Sequence, residues 1–178
     1  MKFLSKSESE EWLRKQGYEI LEDGTPSFAT TNHTVSSVRL PQKMSSLMVM
    51  TKTVWLNINV GRETLQWVTG WSIWPNSEHM KLSTLVRSAL GASTSLQETP
   101  SALSAIEESD DALSLFLVAA LFSWDCWLLP DSLDAPAAFI SHDQYVDVFV
   151  PPNGSREIVR ELSMFGTEIT RKDRSLLH

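Results

Sequence analysis

Apolar residues recur at helical spacing in several long stretches of this chain and alternate in several short ones. From Ser7 to Gln16, Trp12 and Leu13 give one apolar side, Ser7 and Glu10 have capping-box spacing, and Gly17 suits the position just past a helix end. Val35 to Leu40 is strand-like, with Val38 and Leu40 on one face. Residues 43–60 fit both periods. Met44, Leu47, Met48, Thr51, Val54, Trp55 and Ile58 follow a helix, while Val54, Leu56, Ile58 and Val60 alternate as a strand would. Length favours a helix through about Trp55 and leaves its end open.

Thr64 to Trp74 carries Trp67, Trp71 and Trp74 at a spacing that mimics a helix stripe. Composition overrules spacing here: Val68, Thr69 and Ile73 favour a strand, Gly70 disfavours a helix, and Pro75 ends the run. Both faces of that strand are largely apolar, which predicts a central strand covered on both sides. A helix follows from about Glu78 to Leu90, with Met80, Leu82, Leu85, Val86 and Leu90 apolar and Gly91 closing it. Residues 91–106, rich in Ser, Thr and Ala, read as a long loop. Ser109 opens the most apolar helix, with Asp110 and Asp111 in its first turn. Short strands are expected at Trp124–Leu129 and Ala137–Ile140. Ser141 with Gln144, inside an Ile140–Tyr145 staple, predicts a helical turn stopped by Pro151 and Pro152. Residues 155–164 form a last amphipathic helix, and 171–178 an expected frayed tail.

The expected fold is therefore α+β: one domain over 1–178, with a sheet of about three to five strands and about five helices packed against it. Hydrophobic content of 42% excludes disorder as the main state. A single cysteine, Cys126, excludes an intrachain disulfide. The N-terminus lacks the apolar core of a signal peptide, and the longest apolar run, Ala112 to Trp124, falls short of the ~20 residues a bilayer needs. A cytoplasmic protein without membrane contact is the expectation.

Charge sharpens the picture. Between Arg87 and Arg156 there is no lysine and no arginine, and residues 88–155 hold ten carboxylates. Residues 1–87, 88–155 and 156–178 carry net charges of +2, −10 and +1, so the middle stretch accounts for the whole net charge of −7. Such a chain is a poor nucleic-acid binder and a plausible binder of a basic surface. Helix starts and turns account for several of the acids. Glu98, Glu107, Glu108, Asp125 and Asp147 are left as candidate partner-binding residues.

The chemical patterns do not close. Ser141-His142-Asp143 names three triad residue types, but neighbours in sequence cannot form a triad. Cys126 lies in an apolar run, where a lone cysteine is usually a small buried hydrophobe. The four histidines have no metal-ligand spacing, no cofactor is implied, and no glycine-rich phosphate loop is present. Asp143 and Asp147 would share one face if they lay on a helical turn. The remaining pocket candidates are Trp71, Trp74, His142 and Asp143.

The segment Trp67-Val-Thr-Gly-Trp-Ser-Ile-Trp-Pro-Asn-Ser-Glu78, with Phe139-Ile-Ser-His-Asp-Gln-Tyr145 downstream, resembles a group of uncharacterised bacterial proteins. They have a similar tryptophan-rich strand running into a Pro-x-Ser-Glu helix start. The resemblance implies a bacterial cytosolic protein and attaches no activity. The group often carries a charge where this chain has Gly70.

Two functions follow as expectations. One is a non-catalytic, inhibitor- or immunity-like protein that binds a basic protein partner. The other is a small enzyme or ligand-binding domain with a site near Asp125, His142 and Asp143. A homodimer joined through tryptophans is a further possibility.

Overall fold

The computed structural model describes residues 1–22, 24–28, 31–59, 61–71, 78–165 and 168–169, with backbone alone for His79, Glu168 and Ile169. The strands are β1 (Lys2–Leu4), β2 (Glu19–Ile20), β3 (Pro26–Ser27), β4 (Thr34–Arg39), β5 (Glu63–Gly70), β6 (Ser101–Ala105), β7 (Asp125–Pro130), β8 (Ala137–Ser141), β9 (Tyr145–Val150) and β10 (Glu168–Ile169). The helices are α1 (Lys6–Lys15), α2 (Met44–Ile58), α3 (Glu78–Ala89), α4 (Ser109–Leu121) and α5 (Glu157–Leu162). Eight strands form one antiparallel sheet in the order β1-β6-β5-β7-β8-β9-β4-β10, and β2 pairs with β3 alone.

The sheet is dressed on both faces, as the two-sided apolar pattern of β5 predicts. On one face α2, α4 and α5 pack Met50, Val54, Trp55, Phe116, Ala119 and Ile158 onto Val38, Cys126, Leu128, Ile140, Val146 and Val148. On the other, α1 and the β2–β3 segment bring Leu13, Tyr18 and Phe28 onto Leu65, Trp67, Trp127 and Leu129. Successive strand residues point to opposite faces, so Cys126 and Trp127 serve different cores.

The helix ends follow capping chemistry. Ser5, two residues earlier than the expected Ser7, caps α1. Its hydroxyl accepts from Glu8 N while Glu8 Oε2 accepts from Ser5 N at 2.9 Å. Gly17, at φ +86°, closes α1 with Gly17 N donating to Arg14 O and Tyr18 N to Leu13 O. The ambiguous stretch 43–60 is helical from Met44 through Ile58.

Two expectations fail, each for a physical reason. The sheet has eight strands, not three to five. Part of the excess is β6, inside the expected loop of residues 91–106: Ser101-Ala-Leu-Ser-Ala105 has no β-branched residue, yet it runs between β1 and β5. Its small side chains admit close neighbours, and Ser9 on α1 donates to Ser101 Oγ at 2.8 Å. Tertiary pairing overrides propensity there.

Residues 141–150 are not a helical turn. Ser141 pairs with Tyr145 across a three-residue hairpin loop, Gln144 N donates to Ser141 O, and Gln144 sits at φ +67°. Asp143 N donates to Ser141 Oγ, so the Ser141–Gln144 motif braces a turn between strands instead of starting a helix. Asp143 and Asp147 consequently share no helical face.

Helix α3 buries Ser83 and Arg87, packs the partly buried Met80 and Val86 against the core, and leaves Leu82 and Leu85 exposed.

Candidate functional site

The ends of β5, β7 and β8 meet at one end of the sheet, where Gly70 pairs with Asp125 and Cys126 with Ile140. This brings together Asp125 and His142, seventeen positions apart in sequence. His142 N and Nδ1 both lie 2.8 Å from Asp125 Oδ1, and Nε2 lies 3.3 Å from Asp143 Oδ1. The hydrogen bond to Asp125 holds the imidazole pKa above its ordinary value, and burial opposes this only in part.

Gly70 makes room for the carboxylate: a Cβ there would stand 2.6 Å from Asp125 Oδ2. A charged side chain at this position would meet the same obstacle.

A raised histidine pKa stabilises the fold below the ordinary value of about 6.5, and that contribution is lost as pH rises through the raised folded value. The imidazole is 52% exposed, so the effect on stability is modest. NMR titration is the sharper reading. Asp125→Asn should return the His142 pKa to the ordinary range, and Gly70→Ala, by displacing the carboxylate, should move it the same way. An unchanged His142 titration in both variants would contradict the pairing.

The group is a poor catalytic centre. Ser141 is buried and occupied in the turn, with its hydroxyl accepting from Asp143 N instead of facing the imidazole. Cys126 is buried on the opposite face, and burial pushes its thiol up to about 12, so no thiolate forms near neutral pH. The imidazole stands between two carboxylates, whose oxygens face it and not a common point. Among the described residues no three His, Cys, Asp or Glu side chains are grouped as a metal would require.

The candidate pocket residues separate. Trp71 lines a groove of about 390 Å³ with Lys6, Trp67, Thr69, Gln97 and Pro100. His142 and Asp143 line none of the four main cavities bounded by described residues. Trp74 lies outside the described residues. Trp55, Trp67, Trp124 and Trp127 are core residues, unavailable to a dimer partner; the large apolar side chains left in water include Met44, Met48, Val49 and Leu56 on α2.

The five candidate partner-binding acids also separate. Glu98 braces a turn, accepting from Ser95 N at 2.9 Å and Ser95 Oγ at 2.8 Å, which holds its pKa below the ordinary value. Glu108 accepts from Ala105 N and pairs with the N-terminal ammonium of Met1. Asp125 is held by His142. Asp147 is buried and accepts from the Ser37 hydroxyl at 2.6 Å. Glu107 lines an open groove of about 700 Å³ shared with Gly61, Arg62, Ile106, Asp131 and Ser132. This groove lies at the opposite end of the sheet from Asp125.

Sequence reasoning missed two residues of that groove. Ile106 stands on a single 3₁₀ turn (Ile106–Glu108) and is 46% exposed. Asp131 sits beside it through the β5–β7 pairing, which places Pro130 opposite Thr64, and its Oδ2 accepts from Arg62 N at 3.1 Å. Its proximity to Glu107 depends on strand order, which local patterns do not encode.

No family model matches this chain, and neither does any curated protein or solved structure. Among the described residues, no helix is long and apolar enough to cross a membrane.

Proposed function

We propose that this chain is a non-catalytic interaction protein, inhibitor- or immunity-like, that binds a basic protein surface at the Glu107 end of its sheet. The supporting observation is the exposed Ile106 between Glu107 and Asp131 on one open groove, with exposed Asp110 and Asp111 following in the first turn of α4. An apolar anchor rimmed by like charges suits a partner that brings cations and a shallow apolar pocket. Arg62 offsets part of the negative charge there and gives the surface a fixed pattern. The alternative, a ligand site at Asp125, His142 and Asp143, has the assembled group in its favour and, against it, that His142 and Asp143 line none of the main cavities bounded by described residues.

Salt-graded capture from the native lysate tests the proposal, with Glu107→Lys/Asp131→Lys compared against Glu157→Lys on α5. The expected result is a basic protein retained at low salt, released as salt rises, lost with the double reversal and kept with Glu157→Lys. Retention of no basic protein, or equal loss with both variants, would overturn it.

A further inference from the structure

Arg87 is a buried cation with an incomplete set of partners. It is 4% exposed on α3. Its Nη2 donates to Thr99 O at 2.7 Å and to Thr99 Oγ1 at 2.8 Å, and its guanidinium lies over the Phe3 ring at 4.5 Å. Nε finds no acceptor among the described residues, and none of their ion pairs involves this side chain. A guanidinium out of water loses several kcal/mol of hydration unless a counter-charge replaces it. A neutral threonine and a ring face supply only part of that. Burial lowers the Arg87 pKa to about 10, which still leaves the group charged at neutral pH.

A second orphan lies on the same pocket. Trp124 is 1% exposed, and its indole Nε1 has no acceptor among the described residues. Arg87 and Trp124 line one small, partly open pocket of about 30 Å³, together with Gln66, Ser83 and Cys126. The Cys126 thiol stays neutral there, so the lining carries one net positive charge. Two buried N–H groups without acceptors among the described residues share one pocket with an uncompensated cation, and together they call for an explanation.

We infer that this pocket is a binding site for a small monovalent anion, held by Arg87 and by the Trp124 indole N–H. Size sets the class. One water needs about 10–15 Å³ of such space, so the pocket fits an ion of one to three heavy atoms, such as a halide or formate. Water alone would satisfy the N–H groups and leave the charge uncompensated. The inference is independent of the partner surface around Ile106.

The test is an NMR titration of the full chain with sodium chloride and, separately, sodium formate, with ionic strength held constant by gluconate, which is too large to enter. The Arg87 Nε–H and Trp124 indole N–H signals should both shift, saturably and with one common dissociation constant. Trp124→Phe keeps a ring in the core and should weaken binding at least tenfold, read at the Arg87 Nε–H. Arg87→Met should abolish the saturable shift at Trp124. Signals that ignore both anions, or that show only contact with bound water, would overturn the inference. The wild-type titration decides this even if Arg87→Met fails to fold.

Discussion

Trp55→Ala should cost about 3–5 kcal/mol of folding free energy, the range for deleting a large buried aromatic. Trp55 is fully buried on α2, tilted against Phe116 of α4 with ring centroids 6.5 Å apart, and its Nε1 donates to Ser109 Oγ at 2.7 Å. It thus ties the two main helices of one face and engages the first residue of α4. Against a total stability of about 5–15 kcal/mol the loss is large. At roughly 2–4 °C per kcal/mol for a chain of this size, the melting temperature should fall by roughly 6–20 °C. Trp55→Phe should cost less, because Ser109 Oγ keeps the 3.0 Å bond from Asn59 Nδ2. Thermal and urea unfolding measure both.

Trp127→Ala should cost a similar ~3–5 kcal/mol through the other face of the sheet. Trp127 is packed among Phe28, Phe139 and Phe149, with centroids at 6.1, 4.5 and 5.5 Å. Its conservative variant should behave differently from that of Trp55. The Trp127 Nε1 is buried without an acceptor among the described residues. Trp127→Phe removes that cost of about 1–3 kcal/mol and offsets much of the lost packing. Trp55→Phe should therefore destabilise more than Trp127→Phe, although both remove an indole. The two alanine variants lie in separate cores and should add within about 0.5 kcal/mol. Strong non-additivity would contradict a sheet with two independent cores.

How much was legible follows from where the information resides. The strand expected over Thr64–Trp74 could be read as far as Gly70, because Val68, Thr69 and Trp67 outweigh a misleading helical spacing, and residues 72–74 lie outside the described residues. Its two-sided covering followed from its apolar faces. α2 could be read from its length. β6 could not, because Ser101 to Ala105 carries no local strand preference and is held by β1, β5 and Ser9. The 141–150 hairpin was hidden because a serine that braces a turn and a serine that caps a helix use the same hydroxyl on the same backbone. The alternation Val146, Val148, Val150 was the signal that favoured a strand.

The site was less legible still. Asp125 and His142 meet only because β7 pairs with β8. The cation-free stretch identified an excess of acid, but its members were assigned to one surface without knowledge of strand order. Glu98, Glu108, Asp125 and Asp147 each have a local partner, which leaves Glu107 to combine with Asp131 and Ile106. Arg87 entered only as the last cation before the acidic stretch, and its burial on α3 was not legible. Its true environment depends on Phe3 and Thr99, neither of which its own helix announces.

The proposed interaction surface is tested most directly by hydrogen–deuterium exchange of the captured complex against the free chain. The account predicts added protection over residues 61–63, 106–111 and 131–132, with the hairpin at 141–145 unchanged. Protection centred on 141–145, or on the exposed side of α2, with residues 106–111 unaffected, would contradict it.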